Sequence, residues 1–392
     1  MTPPLSIALC GAGGYGERYL TALLAEAEAR NCRLAGIIEP FPKHCSQWPE
    51  IVSRSIPTFS RLEEFYAVAG CDLLIISSPI HFHCAQTCLA LAHGSHVLCE
   101  KPLCTSVEQI EQMKAAEMLS GKSVTIGYQW SFSPAIQKLK GDLLEGRFGC
   151  PLQFQTLICW PRGDRYYRRN DWAGRLRTKT GERLLDSPVN NAMAHYLHNM
   201  LYLLGSSIGQ SATATVSEAE LWRVNPIESF ETAALRLRTE SGVELQFLAS
   251  HVTADRQDPR FRYEFEQAVI DYSVERKNII ATLRSGEKIS YGSPEDEPCR
   301  KLWQAVNSAR TGASPLCGID AASAHTRCVN HMHDAGFPIH DFPSSSIEVD
   351  HSGDAPRCFV PGLQEALNRC YDHRTLLAEE WRGAITPACV LP

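Results

Sequence analysis

Three glycines near the start of the chain, Gly11, Gly13 and Gly16, stand in GxGxxG spacing within Ile7-Ala-Leu-Cys-Gly-Ala-Gly-Gly-Tyr-Gly16. An apolar run precedes them and an Ala- and Leu-rich helical pattern follows. In that setting each glycine has a task. The first permits a tight turn, the second lets the backbone approach a pyrophosphate, and the third lets the helix pack close to a sheet. Gly14 and Tyr15 complete the loop, and the helix N-terminus adds free N–H groups and the positive end of a dipole. A second apolar run ends at Ile37-Ile38-Glu39. A carboxylate at that position accepts hydrogen bonds from both adenine-ribose hydroxyls of a dinucleotide and repels a 2′-phosphate. Together the two signals predict NAD as the cofactor. NADP is the second choice, because Lys43 and His44 offer positive charge a few residues on.

The elements that position these residues follow from the hydrophobic pattern. Short apolar runs at Ser6–Cys10, Leu34–Ile38, Asp72–Ser77, His96–Cys99 and Ser123–Gly127 alternate with helical stretches at Glu17–Arg30, Cys84–Ala92 and Val107–Leu119. Apolar strands joined by helical crossovers predict a parallel sheet covered on both faces. Beyond that the texture changes. Leu152–Trp160, Glu231–Arg238, Val243–His251, Arg262–Ile270 and Val274–Thr282 read as strands of a mostly antiparallel sheet, with a hairpin loop at Thr239–Gly242. Pro338–Pro356 is polar and rich in Pro and Ser and reads as a linker, followed by a helix over Gly362–Glu380. The expected fold is α/β plus α+β: a Rossmann domain over 1–127, an open-faced substrate and oligomerisation domain over 128–345, and a linker with C-terminal helix over 346–392.

Composition narrows the classes. The 392 residues predict two or three domains. Lys and Arg number 38 against 44 Asp and Glu, a net charge of -6 that argues against a nucleic-acid partner. No apolar run approaches the roughly 18–20 residues of a membrane span, and Leu5–Cys10 is too short for a signal peptide. The 16 cysteines scatter without a CxxC pair, as reduced thiols of a cytoplasmic protein would. His81, His83, Cys84, Cys88, His93 and His96 cluster in sequence but match no zinc spacing, and neither do His331 and His333, so no metal is expected.

Val97-Leu-Cys-Glu-Lys-Pro-Leu103 follows a strand and precedes a helix. With the glycine fingerprint it resembles the Gfo/Idh/MocA family of NAD(P)-dependent sugar and polyol oxidoreductases. Glu100-Lys101-Pro102 is the most specific marker. Ser77-Ser-Pro-Ile-His-Phe-His83 resembles the family's T-P-N-x-x-H loop, with Ser78, Pro79 and His83 matching and Ile80 departing. Gly127-Tyr-Gln-Trp-Ser-Phe-Ser-Pro134 resembles G-Y-N-R-R-F-x-P, with Gln129 in the Asn place and Trp130 in the first Arg place. Further on, the spacing of His195 to Gly205 is similar to the family's catalytic-His helix, with Asn191 where Asp is common. The resemblance implies that Ser78, Pro79, His83, Glu100, Lys101 and Gln129 face the cofactor.

Oxidising a secondary alcohol needs a hydride acceptor, a base for the hydroxyl proton and a donor that steadies the alkoxide. Lys101, just past a parallel strand, and His195, whose imidazole titrates in the right range, are the expected catalytic pair. Asn191, one helical turn before His195, is expected on the same helix face and His198 is the competing histidine. Trp160, Arg162, Tyr166, Tyr167 and Trp172 lie in a basic, aromatic stretch suited to a sugar, and its arginines are alternatively suited to an acidic sugar's carboxylate. The expected activity is NAD-dependent hydride transfer at a ring carbinol of a sugar, polyol or glycoside. A glycosidase or lyase using NAD transiently, and a non-catalytic nucleotide sensor, are the rivals. The expected partner besides the small-molecule substrate is a second copy of the chain, in a homodimer or homotetramer built on the open sheet face of Glu231–Arg238 and Val243–His251.

Overall fold

The structure, a computed structural model, describes residues 3–381 apart from Asp296, Pro298 and Asp354. It contains two compact units: Met1–Ser133 with Ile208–Gln210 and Glu295–Thr326, and Pro134–Ser207 with Ser211–Pro294 and Arg327–Pro392. The first unit opens with β1 (Leu5–Cys10), α1 (Gly16–Glu26), β2 (Cys32–Ile38), α2 (Trp48–Ser53), β3 (Thr58–Phe59) and α3 (Leu62–Val68). It continues through β4 (Leu73–Ile76), α4 (His83–Ala92), β5 (His96–Cys99), α5 (Val107–Ser120) and β6 (Val124–Ile126). The sheet order is β3-β2-β1-β4-β5-β6, and every pair is parallel. β1, β4 and β6 are buried along their whole length, which explains their unbroken apolar character. The chain order reverses between β1 and β4, and the carboxyl ends of strands at such a switch point are where α/β sheets bind ligands.

The second unit carries α6 (Pro134–Leu144), β7 (Pro151–Cys159), the short α7 (Asp164–Tyr167) and α8 (Ala194–Leu203). Then come β8 (Ala214–Arg223), β9 (Thr232–Thr239), β10 (Glu244–Ser250), β11 (Gln257–Phe265), β12 (Ala268–Ser273), β13 (Asn278–Leu283) and β14 (Lys288–Gly292). α9 (Arg300–Thr311) belongs to the first unit, where Leu302, Ala305 and Val306 pack into the core with Leu9, Tyr19 and Ile75. The division between units falls within α10 (Ile319–Asp334). The contacts therefore place 295–326 with the Rossmann unit, whereas the sequence reading runs the second domain unbroken over 128–345. A helix returning to an earlier core leaves no local mark in sequence.

The chain ends in β15 (Ile339–Asp341), β16 (Glu348–Asp350), β17 (Arg357–Phe359), α11 (Leu363–His373) and α12 (Leu377–Glu380). The large sheet runs β14-β13-β12-β11-β7-β10-β9-β8-β15 and is mostly antiparallel, with β7/β10 and β8/β15 parallel. Three expectations need correction. The segment Pro338–Pro356 is not a plain linker: β15 completes the sheet edge beside β8, and β16 pairs with β17. The run Arg262–Ile270 straddles a turn, because β11 and β12 meet at Glu266–Gln267, and Val274–Thr282 starts in the turn that precedes β13. The third concerns the sheet face read as an association surface. Ala234 and Leu248 are covered by the chain's own C-terminal helices, through Leu363, Ala366, Leu367 and Leu377. Gln155 Nε2 and Gln246 Nε2 donate to the carbonyls of Tyr371 and Cys370 at 2.8 and 3.1 Å and fix α11 in place. On the opposite face Phe154, Phe261 and Tyr263 stack, and Asn199 of α8 donates to the Tyr263 hydroxyl.

Candidate active site

The first unit gathers its predicted site residues at one edge. The glycine loop follows β1, Glu39 follows β2, Ser78 and Pro79 follow β4, Glu100 and Lys101 follow β5, and Gln129 follows β6. Gly11 has φ +86°, and a Cβ there would meet the Ser77 backbone at 2.8 Å. A Cβ on Gly16 would stand 1.9 Å from the Gly11 carbonyl oxygen. Gly13 and Gly14 lie between them and Tyr15 caps α1, so the loop can take no larger residue at its two ends.

Glu39 is buried and its carboxylate accepts from Ala12 N at 2.9 Å, Gly13 N at 3.3 Å and Phe41 N at 2.8 Å. A carboxylate has about four lone-pair sites, so capacity remains for a ribose hydroxyl beside the glycine loop. The residues present therefore fit a dinucleotide: the loop and α1 N-terminus for its phosphates, Glu39 for its ribose.

His83 and Glu100, both expected to face the cofactor, are buried and hydrogen-bonded within the first unit. His83 Nδ1 and Nε2 lie 2.8 and 2.9 Å from the carbonyl oxygens of Pro102 and Ser78, tying the loop after β4 to the loop after β5. Burial holds its pKa below the ordinary value and keeps it neutral. Glu100 is buried with Lys301 of α9, which donates to its Oε1, and Tyr19 of α1 donates to the same oxygen. Lys301 Nζ also reaches the Gly127 carbonyl at 3.1 Å and lies 4.4 Å from the Tyr15 ring centroid. Burial is the largest single influence on Glu100 and raises its pKa, but the Lys301 charge together with the hydrogen bonds from Lys301 and Tyr19 and the Lys101 charge makes the net shift downward; Lys301 is shifted upward by the same pairing. Lys301 was absent from the sequence reading. Its one cue is a basic residue in an otherwise amphipathic helix, too weak to single out. Lys101 is half-buried, and its backbone N–H donates to Glu100 Oε2 at 3.2 Å. Tyr15 donates to Gln129 Oε1 at 3.4 Å, and Ser78 donates to Gln86 Oε1 at 2.5 Å. Trp130 is buried and donates to Glu295 at 2.9 Å, so it supports the loop instead of lining a ligand.

In the second unit, His195 is the second residue of α8. Asn191 lies in the turn before that helix rather than within it, and its Nδ2 donates to Asp186 Oδ1 at 2.8 Å. Asp186 Oδ2 accepts from Gly174 N at 2.6 Å. His198 is buried and stacks on Tyr202, a core position. Trp160 donates to Asp258 at 2.9 Å and packs edge-on against Tyr196. Tyr166, Tyr167 and His251 form one cluster: the two tyrosine rings are 5.1 Å apart, Tyr166 is 5.4 Å from His251, and the Tyr167 hydroxyl is 3.2 Å from His251 Nδ1. Arg162 and Arg169 lie over Tyr166 at 5.0 and 3.7 Å, and Arg169 reaches on to Trp172 at 5.1 Å. His251, just past β10, was also missed, because it sits at the end of an apolar run and reads as core. Burial, then Arg162 and Arg169, push its pKa well below the ordinary value.

A parallel sheet with a glycine loop, an acidic residue after its second strand and a lysine after its fifth defines a nucleotide-dependent oxidoreductase scaffold. The family models agree: residues 5–128 match the oxidoreductase family with NAD-binding Rossmann fold, and 136–270 match the GFO/IDH/MocA C-terminal domain. The chain belongs to the Gfo/Idh/MocA family, and its first unit is that family's NAD-binding domain. It is 35% identical to scyllo-inositol 2-dehydrogenase (NADP(+)) IolU of Bacillus subtilis (strain 168) over 101 residues, 26% of this chain and 30% of that protein. It is 25% identical to inositol 2-dehydrogenase of Burkholderia cenocepacia (strain HI2424) over 247 residues, 62% of this chain and 66% of that one. The matches thus span less than two thirds of these relatives. Its fold is similar to the WlbA dehydrogenase from Bordetella pertussis in complex with NADH and UDP-GlcNAcA, with TM-score 0.66 and 19% identity over 85% of this chain and 97% of that one. No helix among the described residues is long and apolar enough to cross a membrane.

Proposed function

We propose that this protein is an NAD-dependent dehydrogenase that oxidises a carbinol carbon of a sugar, polyol or related carbohydrate. One observation carries the reading. The glycine loop, Glu39 and Lys101 stand at the carboxyl edge of a single parallel sheet, with the neighbouring Glu100 held in the interior by Lys301. The inositol dehydrogenase relatives support the substrate class.

Bound NAD supplies the hydride acceptor. The chain's own residues do the rest. The glycine loop and Glu39 hold the pyrophosphate and ribose, and Glu39 favours NAD over NADP by repelling a 2′-phosphate. Lys101 Nζ takes the hydroxyl proton, and its ammonium form steadies the developing alkoxide. On the second unit, His195 is a further candidate for handling the proton, and Asn191, fixed by Asp186, offers its carbonyl oxygen to a substrate hydroxyl. The test is a panel of sugars, inositols, uronates and glycosides with NAD, read as NADH absorbance. Net NADH formation with at least one member is expected. A chain that binds NAD but forms no net NADH with any of them overturns the dehydrogenase reading.

A further inference from the structure

Beside Arg162 and Arg169, the basic stretch holds Arg165 and Arg177, which are exposed, with Arg177 donating to the Gly181 carbonyl at 2.9 Å, and three arginines that form ion pairs. Arg168, Arg175 and Arg183 pair with Asp164, Glu228 and Asp334 at 2.9, 3.5 and 2.6 Å. Among the described residues, Arg162 and Arg169 have no carboxylate partner. Arg162 continues the β7 edge, its N–H donating to the His251 carbonyl at 2.8 Å, and its Nε is buried with no hydrogen-bond partner. Arg169 donates to the Tyr166 carbonyl at 2.5 Å and lies flat on the Tyr166 ring. Arg162, half-buried, and Arg169, exposed, thus stand about one aromatic platform, 5.0 and 3.7 Å from the Tyr166 ring centroid.

Two carboxylates bear on the tyrosines, and both are otherwise engaged. Asp186 accepts from Asn191 Nδ2 and Gly174 N at 2.8 and 2.6 Å. Glu231 accepts from Val224 N, Asn225 N and Asn225 Nδ2 at 2.7–2.8 Å. His251, 2% exposed, has a buried Nε2 without a partner. Burial, and after it the two arginines, hold it in the neutral state, so it adds no charge but does add one unsatisfied polar atom. Two cations and one neutral ring nitrogen call for a ligand with an oxyanion and a hydroxyl. A hydroxyl can donate or accept, and so serves either imidazole tautomer. A guanidinium pairs with carboxylate or phosphate through parallel N–H···O bonds.

We propose that Arg162, with Arg169 beside it on Tyr166, binds an oxyanionic substituent of the substrate, so that the protein acts on an acidic or phosphorylated sugar or cyclitol in preference to a neutral one. This rests on the dehydrogenase reading for what happens to the ligand, but not for the binding itself. The step is non-covalent: an oxyanion pairs with the half-buried Arg162 guanidinium, whose Nε is buried without a partner.

The test separates binding from turnover. Calorimetry is run on the full chain with D-glucuronate, D-glucose 6-phosphate and D-glucose, and repeated on Arg162→Met and Arg162→Lys. A charge-assisted hydrogen bond supports roughly tenfold or more in affinity. At least one charged sugar is expected to bind tenfold or more tighter than glucose, and whichever does so identifies carboxylate or phosphate as the group. Arg162→Met is expected to remove that preference, and Arg162→Lys to retain part of it, with melting temperatures confirming that both variants fold. Glucose binding as tightly as both charged sugars, or a preference unchanged in Arg162→Met, overturns the proposal. NADH absorbance is followed separately. Tight charged-sugar binding without NADH leaves this inference standing and removes the dehydrogenase reading; NADH formed equally from neutral sugars does the reverse.

Discussion

Lys301 has no motif around it, and it pairs with a residue 201 positions away. That separation is why the sequence, which makes Glu100 and Lys101 legible through Glu-Lys-Pro, is silent about the cation that neutralises Glu100. The same physics explains His83: its position was legible, but the two carbonyls that take up its ring nitrogens come from separate loops and appear only when the strands align. Breaking a buried pair by removing one partner costs about 3–5 kcal/mol. Lys301→Met should therefore lower the denaturant midpoint by that equivalent. Adding Glu100→Gln to the same chain should recover most of the loss, because a neutral amide needs no counter-charge. A double variant no more stable than Lys301→Met alone would show that Lys301 acts through packing instead. At Glu39, exchange for Ser removes the negative charge beside the ribose. Calorimetry should show weaker NAD binding and a relative gain for NADP; an unmodified protein that binds NADP equally well would contradict the role given to Glu39.

At the scale of elements, alternation of apolar residues revealed most strands but not where they end. β11 and β12 read as one run because the polar–apolar alternation of Arg262–Phe265 carries on across the Glu266–Gln267 turn into Val269 and Ile270. β15 was hidden for the opposite reason. Its three residues lack a pattern of their own and become a strand only beside the open edge of β8. The helices α11 and α12 were legible as one helix, which in fact breaks at Arg374 in the left-handed region, φ 64°. What they cover was not legible. Leu363, Leu367 and Leu377 are fully buried, and burial of a leucine side chain contributes roughly 1.5–3 kcal/mol. A chain ending at Pro361 should melt several degrees lower and self-associate through the uncovered faces of β7, β9 and β10, seen by light scattering. A truncated chain as stable and monodisperse as the full one would mean that this cover contributes little.

For the molecule as a whole, pH tests the balance of buried charge. His83 and His251 are buried and His333 is half-buried, and desolvation is the main force holding each pKa below the ordinary 6.5, to about 4 for His333. Below pH 6.5 the unfolded chain gains protons that the folded chain refuses. Stability is thus complete above 6.5 and lost as pH falls, by up to about 1.4 kcal/mol per histidine per pH unit. Glu100, whose folded pKa lies below 4.5, adds a loss in the same direction at still lower pH. The urea midpoint should fall between about pH 7.5 and about pH 5; an unchanged midpoint would mean that these histidines are protonated in the folded state. The most direct test of the central claim concerns Lys101. With a substrate found in the NADH panel, Lys101→Ala should bind NAD as the unmodified protein does and lose about 10²–10⁴-fold in single-turnover hydride transfer. Hydride transfer at the unmodified rate in Lys101→Ala would contradict the account, because the proton would then leave the substrate by another group.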